Sequence, residues 1–477
     1  MTTEEFKLEL HKKFPFVPTF DQERLLLAVS KFILSTKPRC ALIIRGYAGT
    51  GKTTCVGAIT AALPSVRFKS VLLAPTGRAA KVLSNYSNRS ASTIHKKIYR
   101  RKSKITDTLA FDMSQNLHTN TVFIVDEASM IGRDVSVNFG EQRYLLDDLM
   151  DYVYSGDNCR LILIGDGAQL PPVGSVKSPA LDTDYLRLEF DLTIARMELT
   201  QVVRQDKDSG ILFNATRIRE QIREDNNLFP KITVDNFDDV DNMTGMDVQE
   251  VLEDMYSQYG KENTMLITRS NKRANYFNGQ IRARILDFEE EVNQGDFLMV
   301  VRNNYFWLED DNPATDFIAN GDIITVQRIH NYEDHFGLRF ADATITMNDY
   351  PDLPEFDVKL LLETLYEESP SLPQEKNKKF YHDILSKYSD IKNRTKRNQA
   401  VKEDPYFNAI QVKFAYAVTC HKSQGGQWPV VLIDQGYLTE DMMGVEYLRW
   451  LYTAFTRASE KLVLLDFRKE FFEEKNE

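Results

Sequence analysis

Residues 46–54 read Gly46-Tyr47-Ala48-Gly49-Thr50-Gly51-Lys52-Thr53-Thr54, and this stretch decides how the chain is read. It has the form G-x-x-x-x-G-K-[ST], follows the apolar run Ala41-Leu42-Ile43-Ile44, and precedes a segment, 54–62, that can be helical. Strand, glycine-rich loop and helix in that order make a phosphate cradle. Glycines let the backbone curl until successive N–H groups point at phosphate oxygens. Lys52 supplies a point charge to the terminal phosphates, and the Thr53 hydroxyl completes a magnesium shell. The expected ligand is a nucleoside triphosphate with Mg2+, held by Gly46, Ala48, Gly49, Thr50, Gly51, Lys52, Thr53 and Thr54.

Working outward, 477 residues predict two to four domains. An apolar fraction of 42% and a charged fraction of 27% are ordinary for a soluble globular protein. No stretch has the apolar length of a membrane span, and Met1-Thr2-Thr3-Glu4-Glu5 lacks a secretory pattern. The four cysteines, Cys40, Cys55, Cys159 and Cys420, are scattered and suit reduced thiols, so a cytoplasmic protein is expected. A net charge of −11 argues against a protein that coats nucleic acid non-specifically. It leaves room for a local basic channel, because binding depends on the charges near the phosphates.

The first half reads as a doubly wound α/β unit. Short apolar runs at 41–44, 71–73, 122–125 and 161–164 have strand length, and each gives way at once to polar or glycine-rich residues. In a parallel sheet such runs are buried on both faces, and ligands gather at their carboxyl ends. After the third run comes Asp126-Glu127; after the fourth comes Gly165-Asp166-Gly167-Ala168-Gln169. A carboxylate ending a strand beside a phosphate loop is placed to hold magnesium, and a second can polarise the attacking water. Asp126 is therefore assigned to the metal, directly or through water, and Glu127 to the general base. Gln169 is placed to sense the terminal phosphate.

The ordered set of motifs resembles the superfamily 1 helicases, specifically the 5′→3′ branch with RecD-like, Dda-like and PIF-type enzymes. The resemblance runs from Phe20 to about Leu465. Phe20-Asp21-Gln22 matches the upstream glutamine motif and implies adenine recognition by Gln22. Ala74-Pro75-Thr76-Gly77-Arg78-Ala79-Ala80 and Ala91-Ser92-Thr93-Ile94-His95 match two strand-contacting motifs, which implies Pro75, Thr76, Arg78, Thr93 and His95 as contacts. Leu199-Thr200-Gln201-Val202-Val203-Arg204-Gln205 carries the first arginine finger, Arg204. Thr419-Cys420-His421-Lys422-Ser423-Gln424-Gly425 matches the fifth motif, implying contacts from Thr419, His421, Lys422, Ser423 and Gln424. Leu451-Tyr452-Thr453-Ala454-Phe455-Thr456-Arg457 matches the sixth, with Arg457 as the second finger. Arginine suits that role because its fork bridges phosphate oxygens and is always charged.

That resemblance implies two RecA-like P-loop lobes with parallel sheets, the first over 1–95 and 120–198, the second over 199–294 and 411–477. It also implies a small hairpin insertion at 96–119 and an SH3-like β insertion with a helical elaboration at 295–410. Strand-like runs at 264–268, 430–433 and 462–465 mark the second lobe without the family. Asn271 and Asn278 lie in a basic segment, 269–284, that reads equally as a strand contact and as a charged helix face. Phe111 is a candidate wedge at a duplex fork. Trp428 reads as a base-stacking residue or as packing.

The expected activity is an ATP-dependent DNA helicase moving 5′→3′ on single-stranded DNA and opening duplex junctions, with a monomer sufficing and no membrane involved. An RNA helicase of the same superfamily, and a strand-stimulated translocase or clamp without unwinding, stay open as alternatives. A guanine-selecting N-K-x-D is absent, since Asn271-Lys272-Arg273 is followed by Ala274.

Overall fold

Apolar runs that alternate side chains between two buried faces need cover on both sides, and the N-terminal half supplies it with helices. The computed structural model describes residues 1–101, 111–132, 135–138, 141–202, 209–226, 228–243, 248–308 and 317–473. Its first sheet has six parallel strands in the order Thr193–Leu199, Cys40–Gly46, Arg160–Gly165, Thr121–Val125, Lys69–Ala74 and Ala91–Thr93. Leu42, Ile44, Val122, Ile124, Ile162 and Ile164 pack on one face with residues of the helices Thr3–Lys13, Phe20–Ile33 and Lys52–Ala62. Ala41, Ile43, Phe123, Val125, Leu161 and Leu163 pack on the other, under the helix Leu145–Ser155. This is the period-two alternation of a strand. Each such Leu or Ile contributes about 1.5–3 kcal/mol by leaving water, so one central Ile162→Asp would be enough to break the sheet.

The second sheet is also parallel, in the order Val240–Met243, Ala458–Leu465, Trp428–Asp434, Thr264–Thr268 and Ala417–Thr419. Between its helix Asn271–Arg284 and its strand Ala417–Thr419 the chain builds a closed five-stranded barrel: Phe297–Val300, Ile323–His335, Leu338–Met347, Phe356–Leu361 and Ile410–Phe414. Neighbours are antiparallel except Phe356–Leu361 with Ile410–Phe414. The helices Gln374–Lys387 and Arg394–Lys402 cap the barrel through a separate core that includes Phe340, Phe380, Ile384 and Val401. The barrel's closing strand thus lies beyond the insertion limit expected at 410. Val412 pairs with Val300, and the second sheet resumes only at Ala417.

Two buried clusters tie the barrel to the sheet below it. Asp296 accepts from Arg282 Nε and Nη2, both at 2.9 Å, from the Tyr416 hydroxyl at 2.9 Å and from Asn293 N–H at 2.7 Å. Asn278 gives Nδ2 to the carbonyls of Phe414 (3.3 Å) and Ala417 (2.9 Å), while its Oδ1 accepts from Tyr416 N (3.1 Å) and Ala417 N (2.8 Å).

In the first lobe a short antiparallel ribbon pairs Tyr99–Arg101 with Phe111–Met113 where the hairpin insertion is expected. The Phe111 side chain lies outside the described residues. Among the described residues no helix is long and apolar enough to cross a membrane.

Candidate nucleotide site and inter-lobe seam

The phosphate loop joins the strand Cys40–Gly46 to the helix Lys52–Ala62. Gly49 and Gly51 hold φ of 74° and 79°, a left-handed curl that side chains resist. Lys52 Nζ donates to the carbonyls of Gly46 (2.7 Å) and Tyr47 (3.0 Å), so the charge is folded over the loop it serves. Gln22 is 2% exposed. Its Nε2 donates to Thr50 O at 3.1 Å and its Oε1 accepts from Thr19 N at 2.9 Å, so both ends of the amide are engaged with the protein's own backbone. Here it braces the loop against the helix Phe20–Ile33.

Asp126 and Glu127 leave the strand Thr121–Val125 beside that loop. Glu127 sits at φ 50°, ψ 34°, a left-handed conformation that a non-glycine residue holds at a cost of about 1–3 kcal/mol. Its N–H donates to Asp126 Oδ1 at 2.9 Å, and its Oε2 is buried without a hydrogen-bond partner. Burial first and the Glu127 charge second push the Asp126 carboxyl up to about 6, against the pull of Lys52. An Asp carboxylate, a Thr hydroxyl and an orphaned carboxylate oxygen form a hard-oxygen donor set that fits a divalent cation. Asp126 and Thr53 are the residues that would hold it.

Across the cleft the second lobe grips the loop 165–170 at four points. The Tyr452 hydroxyl donates to Asp166 Oδ2 at 2.7 Å, Leu170 N donates to Thr453 Oγ1 at 2.8 Å, Gln424 Nε2 donates to Leu170 O at 2.8 Å, and Arg449 Nη1 donates to Gln169 O at 3.3 Å. The Gln169 side chain is buried in this seam with Oε1 unpartnered. Arg219, from the helix Gly210–Arg223, lies over the Tyr47 ring at 4.4 Å and brings a further cation to the phosphate loop. Burial and the neighbouring Glu198 raise the Tyr47 phenol to about 12. Sequence reasoning missed Tyr452, Asp166, Arg449 and Arg219 as members of the site. Only pairing across the fold shows them, although three of the four lie in or beside the quoted motifs.

The two arginine fingers fare differently. Arg204 lies outside the described residues. The Arg457 guanidinium, 5% exposed, bonds Thr453 O (3.1 Å), Gly426 O (3.0 Å) and Thr456 Oγ1 (3.2 Å), all in its own lobe. On this part of the chain it is Tyr452, on the helix Val445–Phe455, that reaches the phosphate loop.

Of the expected strand contacts, Asn271, Thr419 and Lys422 line one pocket together with Lys413 of the barrel. Lys422 Nζ has no hydrogen-bond partner and is pushed down to about 7 by burial, then by Lys413, itself lowered to about 8. Asn278 lines the same pocket but is 3% exposed with its amide taken up by main chain, which corrects its reading as a contact. Ser423 is fully buried and donates to Cys420 O at 2.8 Å, and Gln424 joins the lobes; neither offers its polar group to a strand. Thr93 and Thr76 cap helices, accepting from Lys96 N and Ala79 N. Pro75 precedes the second of these caps, and its ring is half-buried. Burial takes His95 down to about 4 and lowers His421, which favours the neutral imidazole at both. Arg78 stacks on Trp428 at 3.9 Å and donates to Gln427 O at 3.3 Å. Trp428 is therefore packing, with an arginine on its face.

A phosphate loop ending one parallel sheet, closed over by a helix from a second, defines a two-lobed P-loop nucleoside triphosphatase. The AAA-domain family model matches residues 28–228, and the UvrD-like helicase C-terminal domain matches 414–465. The ATP-dependent DNA helicase dda of Enterobacteria phage T4 is 28% identical over 292 residues, covering 58% of this chain and 60% of that protein. The ATP-dependent RecD2 DNA helicase of Deinococcus radiodurans is 29% identical over 177 residues, covering 36% of this chain and 20% of that protein, so the chain resembles superfamily 1B helicases of the Dda and RecD2 kind. An uncharacterised protein of Acanthamoeba polyphaga mimivirus is 24% identical over 486 residues, covering 87% of this chain and 93% of its own. A solved Bacteroides Pif1 helicase, in complex with ADP-AlF3 and single-stranded DNA, superposes with a TM-score of 0.47 at 16% identity over 96% of this chain and 95% of its own.

Proposed function

We propose that this protein is an ATP-dependent DNA helicase that steps 5′→3′ along single-stranded DNA and opens duplex DNA ahead of it. The observation that carries the reading is the seam: the loop 165–170 of the nucleotide-binding lobe is bonded to Gln424, Arg449, Tyr452 and Thr453 of the other. Nucleotide-driven movement of one lobe is thereby movement against the other. The pocket of Asn271, Thr419 and Lys422 lies beside the same segment as Gln424. ATP with Mg2+ bound by Thr53 and Asp126 supplies the phosphoryl chemistry when present. Glu127 has the free carboxylate oxygen needed to take a proton from the attacking water, and Lys52 the charge needed at the terminal phosphates.

The test is strand displacement with ATP and Mg2+ on 5′-tailed DNA, 3′-tailed DNA and 5′-tailed RNA, with Lys52→Ala as the blank. Unwinding of 5′-tailed DNA alone is expected. Unwinding from the 3′ tail would overturn the polarity, RNA unwinding would change the substrate class, and hydrolysis without displacement would make the protein a translocase or clamp.

A further inference from the structure

Within Trp450-Leu451-Tyr452 a tyrosine 1% exposed would pass for core, were it not for its hydroxyl. A buried phenol needs a partner. This one has two, in two different loops of the opposite lobe: it donates to Asp166 Oδ2 at 2.7 Å and accepts from Ala48 N–H of the phosphate loop at 3.0 Å. Asp166 is fully buried, and its other oxygen holds Ala168 N at 2.9 Å, next to Gln169. The adjacent residue in the helix, Thr453, takes Leu170 N, and Leu170 O takes Gln424, two residues from Lys422. A continuous set of bonds therefore runs from the phosphate loop, through one hydroxyl, to the pocket proposed for the strand.

We infer that Tyr452 is a positioning residue that couples occupancy of the phosphate loop to the grip of the second lobe on nucleic acid. The inference rests on the helicase reading above. Its logic is differential contact: a ligand that moves the Ala48 amide must move or break the hydroxyl's bond to Asp166, and the loop 165–170 answers in both lobes. Coupling of this kind is reciprocal and measurable as a ratio of affinities.

The experiment measures the affinity of the full chain for a single-stranded DNA oligonucleotide with and without a non-hydrolysable ATP analogue and Mg2+. The ratio of the two is compared between wild type and Tyr452→Phe, which deletes only the hydroxyl. Loss of one hydrogen bond to a buried carboxylate is worth about a tenfold change in that ratio. The expected result is a folded variant whose ratio collapses about tenfold toward one. A merely structural tyrosine would lower stability and leave the ratio intact, and an unchanged ratio would overturn the inference. If Tyr452→Phe does not fold, Asp166→Asn weakens the same acceptor at constant shape and is read in the same way. A wild type that binds no oligonucleotide, or binds it equally with and without the analogue, would instead overturn the helicase reading.

Discussion

Replacing Asn278 by alanine separates two roles that the sequence leaves equal. The side chain makes four hydrogen bonds to the main chain of Phe414, Tyr416 and Ala417, where the barrel hands the chain back to the second sheet. Truncation orphans two buried N–H groups, each costing about 1–3 kcal/mol, and strips two carbonyls that keep a second lone pair. The net loss is about 3 kcal/mol. The assay is urea unfolding followed by tryptophan emission, because all three tryptophans, Trp307, Trp428 and Trp450, lie in the barrel and the second lobe. With a urea m-value of about 3 kcal/mol/M for a unit of this size, the midpoint should fall by about 1 M. Asn278→Asp should fall at least as far, since it sets a carboxylate against the carbonyls of Phe414 and Ala417. Oligonucleotide affinity, measured without urea, should hold within about threefold. An unmoved midpoint with a loss of affinity of tenfold or more would refute the reasoning and return Asn278 to the strand path.

Glu127→Gln should keep nucleotide binding, lose hydrolysis by about 100-fold or more, and accumulate the strand-bound state; normal turnover would require another base. Arg78→Ala should leave the salt dependence of oligonucleotide binding unchanged, because the guanidinium sits on Trp428; a slope shallower by about one would show that it neutralises a phosphate. Strand affinity should weaken as pH rises above about 7, where the buried Lys422 amine loses its proton, and Lys422→Met should flatten the profile. Folding runs the opposite way for this group. Its folded value lies below its unfolded one, so its destabilising effect is full below about 7 and fades as pH rises toward the ordinary lysine value; equal pH profiles for Lys422→Met and wild type would sink both statements.

What the sequence revealed followed burial. Runs buried on both faces, such as 122–125 and 161–164, announced themselves as strands because nothing polar interrupts them. The edge strand Thr193–Leu199 is exposed at Thr193, Ala195 and Arg196, and its polar residues Thr193, Arg196 and Glu198 broke the apolar signal and hid it. The barrel's last strand, Ile410–Phe414, contains Gln411 and Lys413, which read as surface; both are buried by partners distant in sequence, Leu372 N for Gln411 and Glu367 O for Lys413. The nucleotide site was legible because a phosphate loop is a local motif. The seam was not, because the bond between Tyr452 and Asp166 spans 286 positions and neither residue type signals it alone. The strand-contact residues were legible only as a family pattern, and several of them, Thr93, Ser423 and Gln424 among them, give their polar groups to the protein's own framework.

The knot of Arg282, Asn293 and Tyr416 on Asp296, set beside the Asn278 clamp, has a mechanical meaning. Both ends of the inserted barrel are fixed at one root, so the root behaves as a weld rather than a hinge. A molecule drawn as several modules is then, for transmitting force, two rigid bodies with one gap between them. The barrel is the overhanging arm of the second body: its Asp349 faces Lys81 of the first lobe across that gap, and any angular change at the nucleotide reaches this outer contact magnified by the arm's length.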